Sequence, residues 1–298
     1  MKPPAVVIVG DLHAGSSVGL MPPTFKTDDG NLIAANPDQV WLWGRWLDFW
    51  ERVDRAYQIE VVIVNGDAPQ GVNLRDVQTL TMNESDQIRF ALEALEPLRK
   101  LRDARKFPVY ATRGTAFHSG AGGAREETIW REFGASTNKL GRYSSWLLKL
   151  PWRGKRIFAT HHVSVGNRQP FTSFNNTMSD WAREAGWHGS DIPDADIRSH
   201  VHRTYSLEQH GRWMATAPAW QLSTEFAHKV APGSTPSIGG LVLWLDDLNE
   251  LQLRKITYRQ VSAWATAIPS LTRSSTHSKS KKAARTRKAG RSTSSRKR

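Results

Sequence analysis

The 298-residue sequence contains no cysteine. That absence excludes a disulfide-stapled scaffold, an iron–sulfur protein, a thiolate zinc site and a cysteine nucleophile. Long apolar runs are missing too, and nothing approaches the roughly 18 consecutive apolar residues of a membrane span. Met1-Lys2-Pro3-Pro4 leads into only five strongly apolar residues before Gly10, too few for a signal-peptide core. The expectation is a soluble, cytoplasmic protein with no membrane partner. Acidic residues are absent from one region, Thr272–Arg298, which holds 11 Lys and Arg. Residues 1–271 carry 30 basic against 28 acidic groups, so the formal charge of +13 belongs to this tail.

The body of the chain, by contrast, carries clear periodic patterns. Ala5-Val6-Val7-Ile8-Val9 reads as a buried strand that ends at Gly10-Asp11. Asn36-Pro37-Asp38-Gln39 reads as a capped helix start, with Asn36 as N-cap and Gln39 completing a capping box. Trp43, Trp46, Leu47, Trp50, Val53 and Tyr57 follow at helical spacing, as a core helix would require. The 13 tryptophans are expected mainly as core and pocket lining.

Val61–Val64 repeats the strand pattern and ends at Asn65-Gly66-Asp67. Ile88 to Leu101 marks a second helix, expected to kink at Pro97. A third strand covers Phe107–Ala111, and a helix over Arg125–Phe133 stops at Gly134. From there strands dominate: Tyr143–Leu150 paired with Arg156–Thr160, then Ala195–Arg198, Thr204–Gln209, Trp213–Ala217, Gly240–Leu245 and Leu251–Tyr258.

Two mixed sheets packed face to face with helices outside, a four-layer α/β/β/α sandwich, satisfy both halves. The expected organisation is one catalytic domain over 1–269 and a disordered Lys/Arg/Ser-rich tail over 270–298.

Five groups of ionisable residues fall directly after these strands: Asp11-Leu12-His13, Asp67, His118, His161-His162 and His200-Val201-His202. Open α/β sheets place ligand sites outside the carboxyl ends of their strands. Asp and His together form the ligand set of hydrolytic Mn, Fe or Zn sites, and two such ions held close can clamp a phosphoryl group. Singly, each has a plainer reading: Asp11 as a turn cap, His118 as an exposed loop residue, Arg113 and Arg203 as surface cations. His188, His210, His228 and His277 have no partner pattern and read as ordinary.

The order Asp11-x-His13, Gly66-Asp67, Arg113-Gly114-Thr115 with His118, His161 and His200-x-His202 resembles the calcineurin-like metallophosphoesterase superfamily, which includes purple acid phosphatases, Ser/Thr phosphatases, cyclic-nucleotide phosphodiesterases and DNA-repair nucleases. The resemblance spans about residues 5–202. It implies that Asp11, His13 and His202 bind one metal, that Asp67 bridges two, and that His161 and His200 bind the second. A hydroxide shared by the metals would then attack phosphorus in line. By position His161 is the ligand, which leaves His162 to orient substrate or to pack. Arg113 and Arg203 are candidates for holding a phosphate.

The sequence makes three departures from the superfamily pattern, the first of them in the third loop. Its third loop reads Gly-Asn-His, whereas here Thr115 occupies the Asn position, as a candidate metal ligand offering only a hydroxyl. His118 comes two residues late, as general acid or replacement ligand. Gln70 stands where an acidic residue or Asn is usual, and Ser199 where Gly is usual.

The expected function is a metal-dependent phosphoesterase that hydrolyses phosphodiesters, with DNA or RNA as substrate and partner through the basic tail. The expected cofactors are two divalent ions, manganese first and iron, zinc or magnesium as the other candidates. Two alternatives stand beside it: a phosphomonoesterase acting on a phosphoprotein or nucleotide, and a nucleic-acid-binding protein with a degenerate site. The tail has no aromatic residue for base stacking, so it would offer sequence-independent, salt-sensitive tethering. Its other readings are a solubilising segment or a localisation signal.

Overall fold

The apolar run after Pro4 is buried on both faces, and this explains why it does not alternate. In the computed structural model, which describes residues 1–73, 76–162, 169–230 and 235–259, it forms β1 (Pro4–Val9). A hairpin of β2 (Thr24–Lys26) and β3 (Leu32–Ala34) follows, then α1 (Pro37–Ala56). Asn36 accepts from the Gln39 N–H at 2.9 Å and the Gln39 side chain accepts from the Asn36 N–H at 3.2 Å, completing the expected capping box.

β4 (Gln58–Asn65) runs parallel to β1. The helix expected to kink at Pro97 is instead two helices, α2 (Glu84–Ala94) and α3 (Glu96–Arg105). Leu95 closes the first, and Pro97 enters the first turn of the second, where its missing N–H leaves no bond unmade. β5 (Val109–Thr112), the short α4 (Ala116–Ser119) and α5 (Ala124–Phe133) come next, the last ending at a left-handed Gly134 as expected.

The segment read as one strand over Tyr143–Leu150 is divided between the sheets. β6 (Ser144–Ser145) pairs with β5, whereas β7 (Leu148–Trp152) forms a hairpin with β8 (Lys155–Thr160). The Glu127 carboxylate takes the N–H groups of Tyr143 and Ser144 and the Ser144 hydroxyl, which holds this stretch to the first sheet. Then comes α6 (Pro170–His188), a 19-residue helix inside the half expected to be mainly strand. Its first turns are rich in Ser, Thr and Asn, weak helix formers that hid it. β9 (Ala195–Arg198), β10 (Ser206–Gln209), β11 (Arg212–Thr216), α7 (Glu225–Val230), β12 (Ile238–Leu245) and β13 (Leu251–Tyr258) complete the described chain.

The first sheet has the order β13-β12-β1-β4-β5-β6 and the second β10-β11-β9-β8-β7, both mixed. Val6, Ile8 and Ile63 of the first sheet share one core with Ile157, Ile197 and Ala215 of the second. On the other face of the first sheet, Val7, Val9 and Val62 join a core with Trp46, Phe49, Phe90 and Trp130 from the helices. The outer side of the second sheet meets α6, where Trp181 packs on Phe158 with ring centroids 5.4 Å apart. Most of the sites expected for tryptophan in the core are filled in this way, although Trp146 and Trp187 stand exposed.

β1, β4 and β5 run parallel, as do β8 and β9, so within each sheet the loops that follow them leave from one edge. Among the described residues no helix is long and apolar enough to cross a membrane. The segment 260–269 of the expected domain and the tail over 270–298, with His277, lie outside the described residues.

The capping box gives the first prediction. Asn36→Ala removes the acceptor for the Gln39 N–H and the donor to Ser17 O at 2.7 Å. Stability in urea unfolding should fall by about 1–2 kcal/mol. A loss below about 0.3 kcal/mol would mean that α1 is held by packing alone.

Candidate metal centre

Four of the five loops deliver their first Asp or His within two residues of a strand end, and His118 follows β5 by six residues; most of these residues adopt unusual backbone. Asp11, His13, Asp67, His200 and His202 have φ values of 52°, 44°, 52°, 71° and 54°. For residues with a Cβ this left-handed region costs energy, and it persists where the surroundings enforce it. Two glycines make room. A Cβ on Gly114 would sit 1.9 Å from Asp67 Oδ1, and one on Gly66 would meet the His161 ring at 2.5 Å.

The resulting cluster contains three overlapping groups whose nitrogen and oxygen atoms lie within 4.8 Å of one another: Asp11, His13 and His202; His13, Asp67 and His118; and Asp67, His161 and His200. The first and third are the two sets that the sequence suggested, and Asp67 stands between them. Asp11 Oδ1 lies 3.1 Å from His202 Nε2, 3.8 Å from His13 Nε2 and 3.9 Å from His161 Nε2. Asp67 Oδ2 lies 2.9 Å from His161 Nε2. Asp11 Oδ1 and His161 Nε2 are nonetheless buried without a well-aligned hydrogen bond. Oxygen and nitrogen atoms that converge in this way, two of them buried with no hydrogen-bond partner, are the arrangement a shared cation requires, so this set fits divalent metal.

Three of the histidines are oriented by carbonyl oxygens, which can only accept. His161 Nδ1 donates to Asn65 O at 2.8 Å, His118 Nδ1 to Gln70 O at 2.5 Å, and His13 Nδ1 to Gln70 Oε1 at 3.1 Å. The Gln70 amide is itself set by donating from Nε2 to the Asp76 carboxylate. In each ring the bond at Nδ1 sets the orientation and leaves Nε2 to meet the cluster, where that of His13 lies 3.1 Å from His202 Nε2. Sequence reading treated Gln70 and Ser199 only as departures from a pattern, and overlooked Asn65, Asp76 and Glu126. The clue was the position of Asn65 and Gln70 flanking Asp67.

Thr115 is brought to Asp67. Its N–H donates to Oδ1 at 2.8 Å, and its hydroxyl lies 3.3 and 3.4 Å from the two carboxylate oxygens. The His162 ring sits 5.7 Å from that of His161 and bonds the Gly114 backbone. Arg113 is engaged elsewhere: it donates to Ser144 Oγ and Gly122 O and lies 3.7 Å from Glu127. Arg203 donates to the Tyr205 hydroxyl at 3.4 Å.

Burial and neighbouring charge act together on the groups of the cluster. Burial works against ionising Asp11, but His202 and His161 hold its carboxyl well below the usual range. Asp67 is likewise buried and held low, chiefly by His161 and His118. Burial opposes charge on His161 as well, yet Asp67 and Asp11 push it up to about 10. His13, buried and beside His118, is pushed down to about 4. These are the effects of desolvation and of opposite or like charge at short range.

Behind Asp67 lies a fully buried Glu126, which accepts from the Ala68 N–H at 3.1 Å and from the Trp130 indole. Burial first, and then the Asp67 charge, push its carboxyl up to about 7 from an ordinary value of 4.5. A carboxyl raised in the folded state keeps its proton there after the unfolded chain has lost its own. Its contribution to stability therefore falls as pH rises from about 4.5 to about 7. The stability of the native chain relative to Glu126→Gln, measured by denaturant unfolding in a chelating buffer, should decline over that interval. A flat difference would contradict the assignment.

No protein-family profile matches the chain, and no curated protein sequence matches it. Several solved structures are similar. One described as a novel archaeal phosphodiesterase has 13% identity over 85% of this chain and 99% of its own, with a TM-score of 0.43. Vacuolar Protein Sorting 29 from Cryptosporidium parvum has 13% identity over 87% and 100%, with a TM-score of 0.40. A predicted phosphoesterase from Streptococcus pneumoniae has 10% identity over 87% and 99%, with a TM-score of 0.37. At these identities and TM-scores the family reading rests on the order and convergence of the chain's own loops: in these, the chain resembles the calcineurin-like metallophosphoesterase superfamily.

Proposed function

We propose that this chain is a metal-dependent phosphoesterase that hydrolyses phosphodiesters, nucleic acid among them. The observation that carries the reading is the pair of three-residue groups, Asp11/His13/His202 and Asp67/His161/His200, meeting at a buried Asp67. In this reading each group would hold one divalent ion, manganese first, with Asp67 available to both. Two such ions would supply Lewis acidity to the phosphoryl oxygens and a water activated for attack.

The chain's own residues would do the rest. His118 has Nδ1 committed to Gln70 O, so a proton given to the leaving oxygen would come from Nε2. Thr115 would steady Asp67 through its N–H and complete the second ion's surroundings with its hydroxyl. His162, beside His161, and Arg203, next in sequence to His202, would orient the phosphoryl group, and Arg113 would brace the loop carrying Thr115 while adding positive potential. The 11 cations of Thr272–Arg298 support a polyanionic substrate, since clustered Lys and Arg bind phosphate backbones without reading sequence.

The test is turnover of bis-p-nitrophenyl phosphate and p-nitrophenyl phosphate after chelation and after manganese is added back. Diester hydrolysis restored by manganese is the expected result, and Asp67→Ala should lower it roughly a thousandfold. Preference for the monoester would favour a phosphatase. Inactivity on both would favour a nucleic-acid-binding protein with a degenerate site, the reading to which the Thr115 hydroxyl beside Asp67 lends support. A further expectation concerns Gln70: Gln70→Ala frees the His13 ring and should weaken manganese binding by roughly 10- to 100-fold in calorimetric titration. Unchanged affinity would show that His13 needs no such support.

A further inference from the structure

Beside the Arg113-Gly114-Thr115 loop lies a groove of about 710 Å³, lined by Arg113, Asn138, Leu140, Arg142, Trp146 and Leu147 among others. It adjoins the metal cluster through His162, whose ring is 5.7 Å from that of His161 on one side and 5.6 Å from the Trp146 indole on the other. Trp146 is tied at its backbone and flanked at its ring. Its carbonyl accepts from the Thr160 hydroxyl at 2.8 Å, and the Arg113 guanidinium lies 5.4 Å from the indole centroid.

Three features of the groove go together. The first is an indole left 45% exposed, flanked by Leu140 and Leu147 at 85% and 40%. A large aromatic surface exposed beside two aliphatic side chains is a face on which a flat partner can stack. The second is Arg142, whose side chain makes no hydrogen bond or ion pair among the described residues. The third is charge: Glu127 is already committed to the N–H groups of Tyr143 and Ser144 and to the Ser144 hydroxyl, so the uncommitted charge in the groove is positive. A flat apolar face beside a free cation, one ring away from a phosphoester site, is complementary to a nucleotide, which carries a stacking base and an anionic backbone together.

We propose that this groove seats a nucleobase of the substrate, with Trp146 stacking on the base and Arg142 pairing with the phosphate next to the scissile one. The inference rests on the phosphodiesterase reading and names the substrate class of that same site as nucleotide.

The experiment compares two diesters with the same leaving group, thymidine 5′-(p-nitrophenyl phosphate) and methyl p-nitrophenyl phosphate, on the full chain with manganese. Trp146→Ala should raise KM for the nucleoside ester about tenfold more than KM for the methyl ester, the scale of one stacked base. Its kcat on the nucleoside ester should change less than threefold, and Trp146→Phe should restore most of the loss. An equal effect on both esters overturns the groove, while continued turnover of the methyl ester leaves the phosphodiesterase reading standing. If neither ester is hydrolysed, that reading fails by itself, and calorimetric binding of the 5′-phosphorylated thymidine dinucleotide pTpT, which carries a second phosphate, decides on the groove. Binding weakened about tenfold by Trp146→Ala and by Arg142→Ala supports it. Binding unchanged by both, or none in the native chain, overturns it.

Discussion

One buried side chain, Asn65, links the loops on which everything else in this molecule depends. Its Oδ1 accepts from the Thr112 hydroxyl at 2.6 Å, and its Nδ2 donates to Thr160 O at 3.2 Å and to Ser199 Oγ at 2.7 Å. Its main-chain carbonyl takes the proton on His161 Nδ1. Thr112, Thr160 and Ser199 are the residues from which the β5, β8 and β9 loops depart, and Asn65 itself precedes Asp67. A single amide thus ties the edges of both sheets at the point where their loops must meet. Buried and fully bonded, such a group costs little to keep. With a partner removed, it would leave an unsatisfied polar atom in a dry interior.

The rest of the centre follows from that constraint. With the strand ends fixed, the loops are short and must turn sharply to bring Asp11, His13, Asp67, His200 and His202 inward, hence their positive φ angles. The strain is tolerated because neighbouring bonds over-determine it: Asp11 N–H to Gly66 O at 2.9 Å, His13 N–H to Asp67 O at 3.0 Å, and Trp220 N–H to Asp11 O at 2.9 Å. Close approach then needs glycine at Gly66 and Gly114, where any Cβ would displace His161 or Asp67. Ser199, at a position where the resemblance leads one to expect glycine, has a local purpose as the hydroxyl partner of Asn65.

Much of this was legible in the sequence because the signals are local. The uninterrupted β-branched runs before Gly10 and Asn65 announce strands buried on both faces. The Asn36-to-Gln39 box announces the start of α1. The repeated placement of Asp and His just after strands announces a shared edge. What the sequence hid was either weakly patterned or non-local. Helix α6 opens with Phe171-Thr172-Ser173-Phe174-Asn175-Asn176-Thr177, a composition that favours turns and caps as readily as helix. The division of 143–150 between two sheets depends on Glu127, distant in sequence from both strands. Glu126 and Gln70 act through atoms that only the fold brings near Asp67 and His13, and Arg113 sits within the expected loop while its guanidinium is spent on Ser144 and Gly122.

Whether the cluster at Asp67 holds two ions side by side decides the chemistry assigned to this chain. Electron paramagnetic resonance of the full chain loaded with manganese and freed of excess metal tests this directly, with metal content per chain measured on the same sample. Two manganese ions per chain and a spectrum broadened by exchange between neighbouring ions are the expected result. A single ion per chain giving the six-line signal of isolated manganese, or no retained metal, would contradict it.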